Sequence, residues 1–274
     1  MPVSVPSSVG SAPEPNGPIP TVLPTPANRT PVKRPAAEER HYRKQRLAVS
    51  FRLFARFGFD MGVSGHISAR DPEYEDHFWV NPMAVHFGQI RVSDLVLVNG
   101  AGEVVEGGRP INRAAFMIHS ELHAARPDVV AAAHAHSLYG KIWSALATDV
   151  APLTQDAAIF FGDCAVHDAY AGVVDDEHEG RQIATALGNK RALILANHGI
   201  LTVGQSVEAA VWRYIALEDA CKVEILARQA GGGRAMPRAV AARTHSMVGS
   251  ELAGVYSFEP YWGMIIAEQP DVLD

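Results

Sequence analysis

Cysteine is scarce: Cys164 and Cys221 are the only two in 274 residues. That excludes a disulfide framework and leaves them as expected buried thiols of a reducing compartment. No apolar run approaches the roughly 18 residues of a membrane-crossing helix. The amino terminus also lacks the basic start and apolar stretch of a secretory signal. Positive charge is in deficit, with 24 Lys and Arg against 30 Asp and Glu and a net charge of −6. Nothing in that balance attracts nucleic acid or an anionic membrane. These absences predict a cytoplasmic protein whose partners are small molecules. What is present is a 47% hydrophobic share, ample for a core.

Regular structure is excluded over residues 1–34, where charge is sparse and prolines stand at 2, 6, 13, 15, 18, 20, 24, 26 and 31. The expectation is a disordered Pro-rich tail over 1–34 and one domain over 35–274. Pro35 and the acids after it open a helix that continues through Phe51, Phe54 and Phe57 to Gly58. The Gly/Ser-rich segment from Met61 to Arg70 reads as a turn into a strand, and Phe78–Met83 and Leu95–Val98 read as further strands. Asn112 is placed to cap a helix carrying His119 and His123, four residues apart. Leu138–Ala147, Glu177–Gly188 and the long stretch after Ser206 read as helices, the last with an apolar stripe through Val211, Tyr214, Ile215 and Leu217.

The chain commits itself at Val129–Ser137, an unbroken small and apolar run that ends in His134 and His136. Such a run reads as a buried strand, so the two histidines share one face. Two readings stay open for the pair: core histidines satisfied by hydrogen bonds, or neutral imidazoles aimed at a metal. A third ligand decides between them. The candidate lies in Arg191–Ile200, a second buried strand that ends in His198 followed by Gly199.

His-Ala-His-Ser at 134–137, then Asn-His-Gly at 197–199, a Val-Gly turn and a long helix together resemble the class II aldolase/adducin-head family. The resemblance spans roughly Glu38 to Gly231. It implies an α/β fold of class II aldolase type, a single domain with a central, mainly antiparallel sheet flanked by helices. It also implies a divalent metal on His134, His136 and His198, and a homotetramer in which the carboxyl-terminal segment reaches a neighbour's site. The family's anion-binding loop aligns with Ser64, Gly65, His66 and Ser68, with histidine at 66 in place of the usual asparagine. His119 is expected to orient a metal-bound imidazole, and His123 to lie at the surface or an interface.

Departures from the aldolase pattern narrow the chemistry. The glutamate that moves the proton in sugar-phosphate aldolases, four residues before the position of His119, is Ala115 here, and the preceding phosphate-holding serines are Arg113 and Ala114. Glu121 is a distant substitute on the other side of His119. Three neutral imidazoles leave the ion's charge uncompensated, which favours a chelating anion such as a 2-oxo acid. With Fe(2+) an open position would support O2 chemistry; Zn(2+) would bind the same residues without it. Trp79, Met83, Phe87, Ile159, Phe160 and Phe161 are nominated as pocket walls suited to an aromatic or prenylated substrate. The resemblance is to the family branch that forms prenylated hydroxybenzoates for aminocoumarin antibiotics as non-heme iron oxygenases. The expected reaction is oxidative decarboxylation of an aryl 2-oxo acid of the 3-prenyl-4-hydroxyphenylpyruvate type, through a mandelate, to the benzoate. The alternative is a metal-dependent retro-aldol lyase or non-oxidative decarboxylase. A non-catalytic binding module is disfavoured by the intact histidine triad.

Overall fold

Period-two alternation of small apolar side chains organises the molecule around one eight-stranded sheet. The computed structural model describes residues 33–174 and 176–274. The expected tail therefore lies outside the described residues, except for Lys33 and Arg34. In chain order the strands are β1 (Gly65–Arg70), β2 (Phe78–Val80), β3 (Val96–Val98), β4 (Val104–Glu106), β5 (Ala131–Ala135), β6 (Cys164–His167), β7 (Ala192–Leu195) and β8 (Gly199–Gly204). Their spatial order is β4-β3-β2-β1-β5-β8-β7-β6. Neighbours run antiparallel except β6 and β7, so the sheet is mainly antiparallel, as expected.

The two faces sort by residue parity. On β5, Ala131, Ala133 and Ala135 face the main core, together with Ile67 and Ala69 of β1. Helices α1 (Ala36–Phe57), α3 (Leu138–Leu146), α5 (Val207–Gln229) and α7 (Glu251–Glu268) pack on that side. Ala132 of β5 belongs to a second core with Ile118 and Leu122 of α2 (Arg113–Ala125) and Ile183 and Leu187 of α4 (Glu177–Leu187). By the same alternation His66, Ser68 and His134 fall on the face that α2 covers.

Helix ends follow local chemistry. Gly58 closes α1 at φ 74°, its N–H donating to the Ala55 and Phe54 carbonyls. Asn112 Oδ1 accepts from the N–H groups of Ala114 and Ala115 to start α2, and Ser206 Oγ accepts from Ala209 to start α5. The carboxyl-terminal segment forms α6 (Arg238–Val248) and α7, the latter with Pro260 inside it.

Four of the nominated walls lie in the core. Ala157–Phe160 is a 3₁₀ turn packed under α5 and α6, which leaves Ile159 3% and Phe160 1% exposed in the main core. Phe160, nominated as a substrate contact, packs in the main core. Trp79 and Phe87 are likewise core, Trp79 Nε1 donating to Asp71 Oδ2 at 2.9 Å.

Helix α4 approaches α2 through Gly180, where an added Cβ would lie 2.3 Å from the Met117 carbonyl oxygen. Overpacking of that kind costs about 1–3 kcal/mol. Gly180→Ala is expected to lower stability by that amount in urea denaturation with an unchanged m-value; wild-type stability would show that the helices can separate freely.

Candidate metal centre

The pairing of β1, β5 and β8 brings the histidines together. His66 sits directly opposite His134 across the β1–β5 pair, and His134 opposite Leu201 across β5–β8. His136 lies just past the end of β5. His198 occupies the tight β7–β8 turn, where Asn197 takes a left-handed φ of 55° and the His198 N–H donates to Leu195. Asparagine is among the few residues that accept that conformation readily. At Gly199 a Cβ would stand 3.2 Å from the Ala135 carbonyl oxygen and 3.4 Å from His134 Cε1. Glycine there lets the turn close onto the pair.

Ligand nitrogens of His134, His136 and His198 all lie within 4.8 Å of one another, with ring centroids 4.7–5.2 Å apart. His134 Nδ1 is 2.9 Å from the Ile200 carbonyl. A carbonyl can only accept, so Nδ1 carries the proton and Nε2 presents a bare lone pair. That Nε2 is buried and has no hydrogen-bond partner. A buried acceptor left without a partner is costly, and a cation supplies what it lacks. The three residues therefore fit a divalent metal, and among the described residues no carboxylate joins the group.

Burial keeps these rings neutral. It pushes His134 well below the ordinary histidine range, helped by His198 and His136, and lowers His198 to about 4. His136 is lowered by burial and by the nearby Lys141 charge. His119 is held at about 3 by burial, and His66 and His123 are likewise displaced downward.

Several expected contacts fall elsewhere. Ser68 is 0% exposed, and strand alternation aims it under α2. Its Oγ lies 2.6 Å from His119 Nδ1 and 2.8 Å from His123 Nε2. His123, expected at the surface, is 4% exposed and part of this buried group. His119 reaches His66 Nδ1 through Nε2 at 2.8 Å, and His66 in turn lies 5.0 Å, centroid to centroid, from His134. Gly65, at φ 119°, is fixed by close approach: a Cβ would lie 3.1 Å from Ala135 Cα. Ser64 is half-buried in the preceding turn, its N–H donating to Met61. Arg113 begins α2 and is exposed; Ala115 is buried one turn before His119. Glu121 pairs with Arg181 of α4 at 3.3 Å.

A supporting network was missed at the sequence level. Tyr214 Oη donates to the Ala135 carbonyl at 2.7 Å and lies 2.9 Å from Ser137 Oγ. Ser137 donates to Glu218 Oε2 at 2.5 Å, and the N–H groups of Tyr139 and Gly140 donate to the same carboxylate at 2.8 and 2.6 Å. Glu218 thereby caps α3 from α5 and pins the peptide that carries His136. Its available signal was Tyr214 and Glu218 four residues apart on a largely apolar helix. Beyond this cap, a cavity of about 660 Å3 has walls that include Phe57, Phe59, Tyr139, Trp212, Tyr261 and Lys222.

Known proteins supply the context. Residues 45–225 match the model of the class II aldolase and adducin N-terminal domain. The chain is 45% identical over 238 residues to the 4-hydroxy-3-prenylphenylpyruvate oxygenase/4-hydroxy-3-prenylbenzoate synthase of Streptomyces roseochromogenus subsp. oscitans, covering 86% of each chain. It is equally identical, over 86% of this chain and 88% of the relative, to the decarboxylase NovR of Streptomyces niveus. Among solved structures, an L-fuculose 1-phosphate aldolase from Glaciozyma antarctica PI12 superposes with a TM-score of 0.83 at 41% identity, covering 90% of this chain and 97% of that one.

Two outcomes are expected. His198→Ala should lose bound metal, measured by plasma emission, while its far-UV circular dichroism stays wild-type; full metal occupancy would remove His198 from the triad. In metal-free protein the unfolded chain binds protons on these histidines near their ordinary value of 6.5, whereas folded His198 does so only near 4. The unfolded state therefore holds more protons in that window, so stability is complete above about pH 6.5 and falls as pH drops toward 4. Urea midpoints independent of pH across that window would contradict the buried neutral cluster.

Proposed function

The chain belongs to the class II aldolase and adducin N-terminal domain family, and on that premise we propose that it is a non-heme iron oxygenase of antibiotic biosynthesis. Its reaction is the oxidative decarboxylation of an aryl 2-oxo acid of the 3-prenyl-4-hydroxyphenylpyruvate type, through a mandelate, to a prenylated 4-hydroxybenzoate. The observation that carries this reading is a three-histidine centre that no carboxylate joins among the described residues, in a chain with Ala115 at the place of the aldolase acid. The names of the two Streptomyces relatives point the same way.

His134, His136 and His198 would hold the ion, and Fe(2+) bound there would supply a chelation site for a 2-oxo acid and O2 activation. Three neutral imidazoles contribute no negative charge, so the site attracts an anion, and Lys141 near His136 adds to that attraction. Ile200 fixes the His134 tautomer through its carbonyl. The buried rings of His66 and His134, 4% and 1% exposed, keep water from one side of the centre. We read the assembly as a homotetramer, supported by the exposed stripe of Leu138, Ile142 and Leu146 on α3.

A second reading, a metal-dependent lyase, is favoured by the likeness to the fuculose 1-phosphate aldolase. Oxygen-electrode assays separate the two. Fe(2+)-loaded protein with 4-hydroxyphenylpyruvate or its 3-prenyl derivative is expected to consume O2 and release CO2, and zinc-loaded protein to do neither. Turnover of the same acid without O2 would overturn the oxygenase reading in favour of the lyase.

A further inference from the structure

Lys141 stands at the rim of the histidine centre without an anion to answer its charge. It lies in the first turn of α3, where its N–H donates at 3.0 Å to the carbonyl of Ser137, the residue after His136. Side chains on a helix lean toward its amino-terminal end, so the Lys141 chain runs back toward the peptide that carries His136. Its charge is felt there, as one of the causes that lower the His136 ring. The far end of the chain is located by a second element. Lys141 Nζ lies 3.2 Å from Met61 Sδ, in the turn before β1 where the Ser64 N–H donates to the Met61 carbonyl. The residue that follows, Gly65, sits opposite Ala135. The half-buried lysine therefore joins α3 to the β1 turn beside the strand end that delivers His134 and His136.

Neither contact answers the ammonium. A thioether is a weak, uncharged acceptor, and among the described residues no carboxylate pairs with Lys141. Glu218 lies within range of its charge, but that carboxylate already accepts from Ser137, Tyr139 and Gly140. Ser68, expected in an anion-binding loop, is engaged with His119 and His123 beneath α2. An anion that enters the centre thus finds its cationic donor on α3. A 2-oxo acid that chelates through its ketone and one carboxylate oxygen keeps a second carboxylate oxygen in need of a donor, and an ammonium meets that need with a charge-assisted hydrogen bond.

We propose that Lys141 binds the carboxylate of the substrate at the rim of the histidine centre and so selects 2-oxo acids over uncharged ketones and aldehydes. The inference rests on the reading of the triad as the site that a 2-oxo acid enters. Lys141 is a substrate-binding residue in this account, and it neither ligates the ion nor moves a proton.

Titration calorimetry of the zinc-loaded full chain with phenylpyruvate reads binding without turnover. Lys141→Met is expected to weaken that binding about tenfold or more while zinc content and far-UV circular dichroism stay wild-type. It should also flatten the loss of affinity seen in wild type between about 50 and 500 mM NaCl. Lys141→Arg, which keeps the charge, should recover most of the affinity. A side chain that only filled space at the rim would change affinity without changing its salt dependence. Phenylpyruvate bound as tightly by Lys141→Met as by wild type overturns the proposal, and so does weakened binding with an unaltered salt dependence. In the oxygenase assay the same variant should raise KM with kcat little changed; a fall in kcat at constant KM also overturns it. Phenylpyruvate that binds through Lys141 but is not turned over with O2 ends the oxygenase reading and leaves the carboxylate anchor standing. Wild-type protein that binds no phenylpyruvate overturns both.

Discussion

The histidine centre depends on one buried carboxylate. Glu218 accepts from Ser137, Tyr139 and Gly140, and through Ser137 and Tyr214 it is tied to the Ala135 carbonyl, one peptide before His136. Burial pushes the Glu218 carboxyl upward, and the hydrogen bonds it accepts oppose that shift. A charge in such a place is held only by partners of this quality. Gly140 is part of the same fit, since a Cβ there would meet Ser137 Oγ at 2.8 Å and Ile200 Cγ1 at 2.9 Å. The end of β5, the start of α3 and the body of α5 thus form one rigid corner, and His136 is carried on it.

The opposite face of the sheet supplies the other half. α2 seals His66, His119, His123 and His134 from water, and burial keeps each of them from carrying a proton at neutral pH. Neutral rings are what metal ligation requires. The centre therefore joins two kinds of order: a capped strand end that places the ligands, and a dry face that leaves their lone pairs available.

Much of this was legible in the chain because it is local. The apolar runs before His134 and His198, the Asn-His-Gly turn, the caps at Asn112 and Ser206 and the break at Gly58 are all encoded within a few residues, and each forms where expected. The elements that escaped are non-local. Ser68 and His123 meet only because α2 lies across β1, so their separate readings as a substrate contact and a surface residue could not reveal a shared hydrogen bond. Phe160 is apolar in either setting, and only the helices laid over its turn make it core. Tyr214 was read as part of an apolar stripe because its hydroxyl finds its partner on another element. The α6–α7 pair, with Pro260 and glycines inside a mixed sequence, carries no clean helical period.

The most direct test of the centre is X-ray absorption at the zinc edge of zinc-loaded protein. The arrangement of His134, His136 and His198 predicts three imidazole nitrogens at about 2.0–2.1 Å, completed by light oxygen scatterers. A shell with one or two imidazoles, or with a sulfur scatterer, would contradict the three-histidine site and the chemistry built on it.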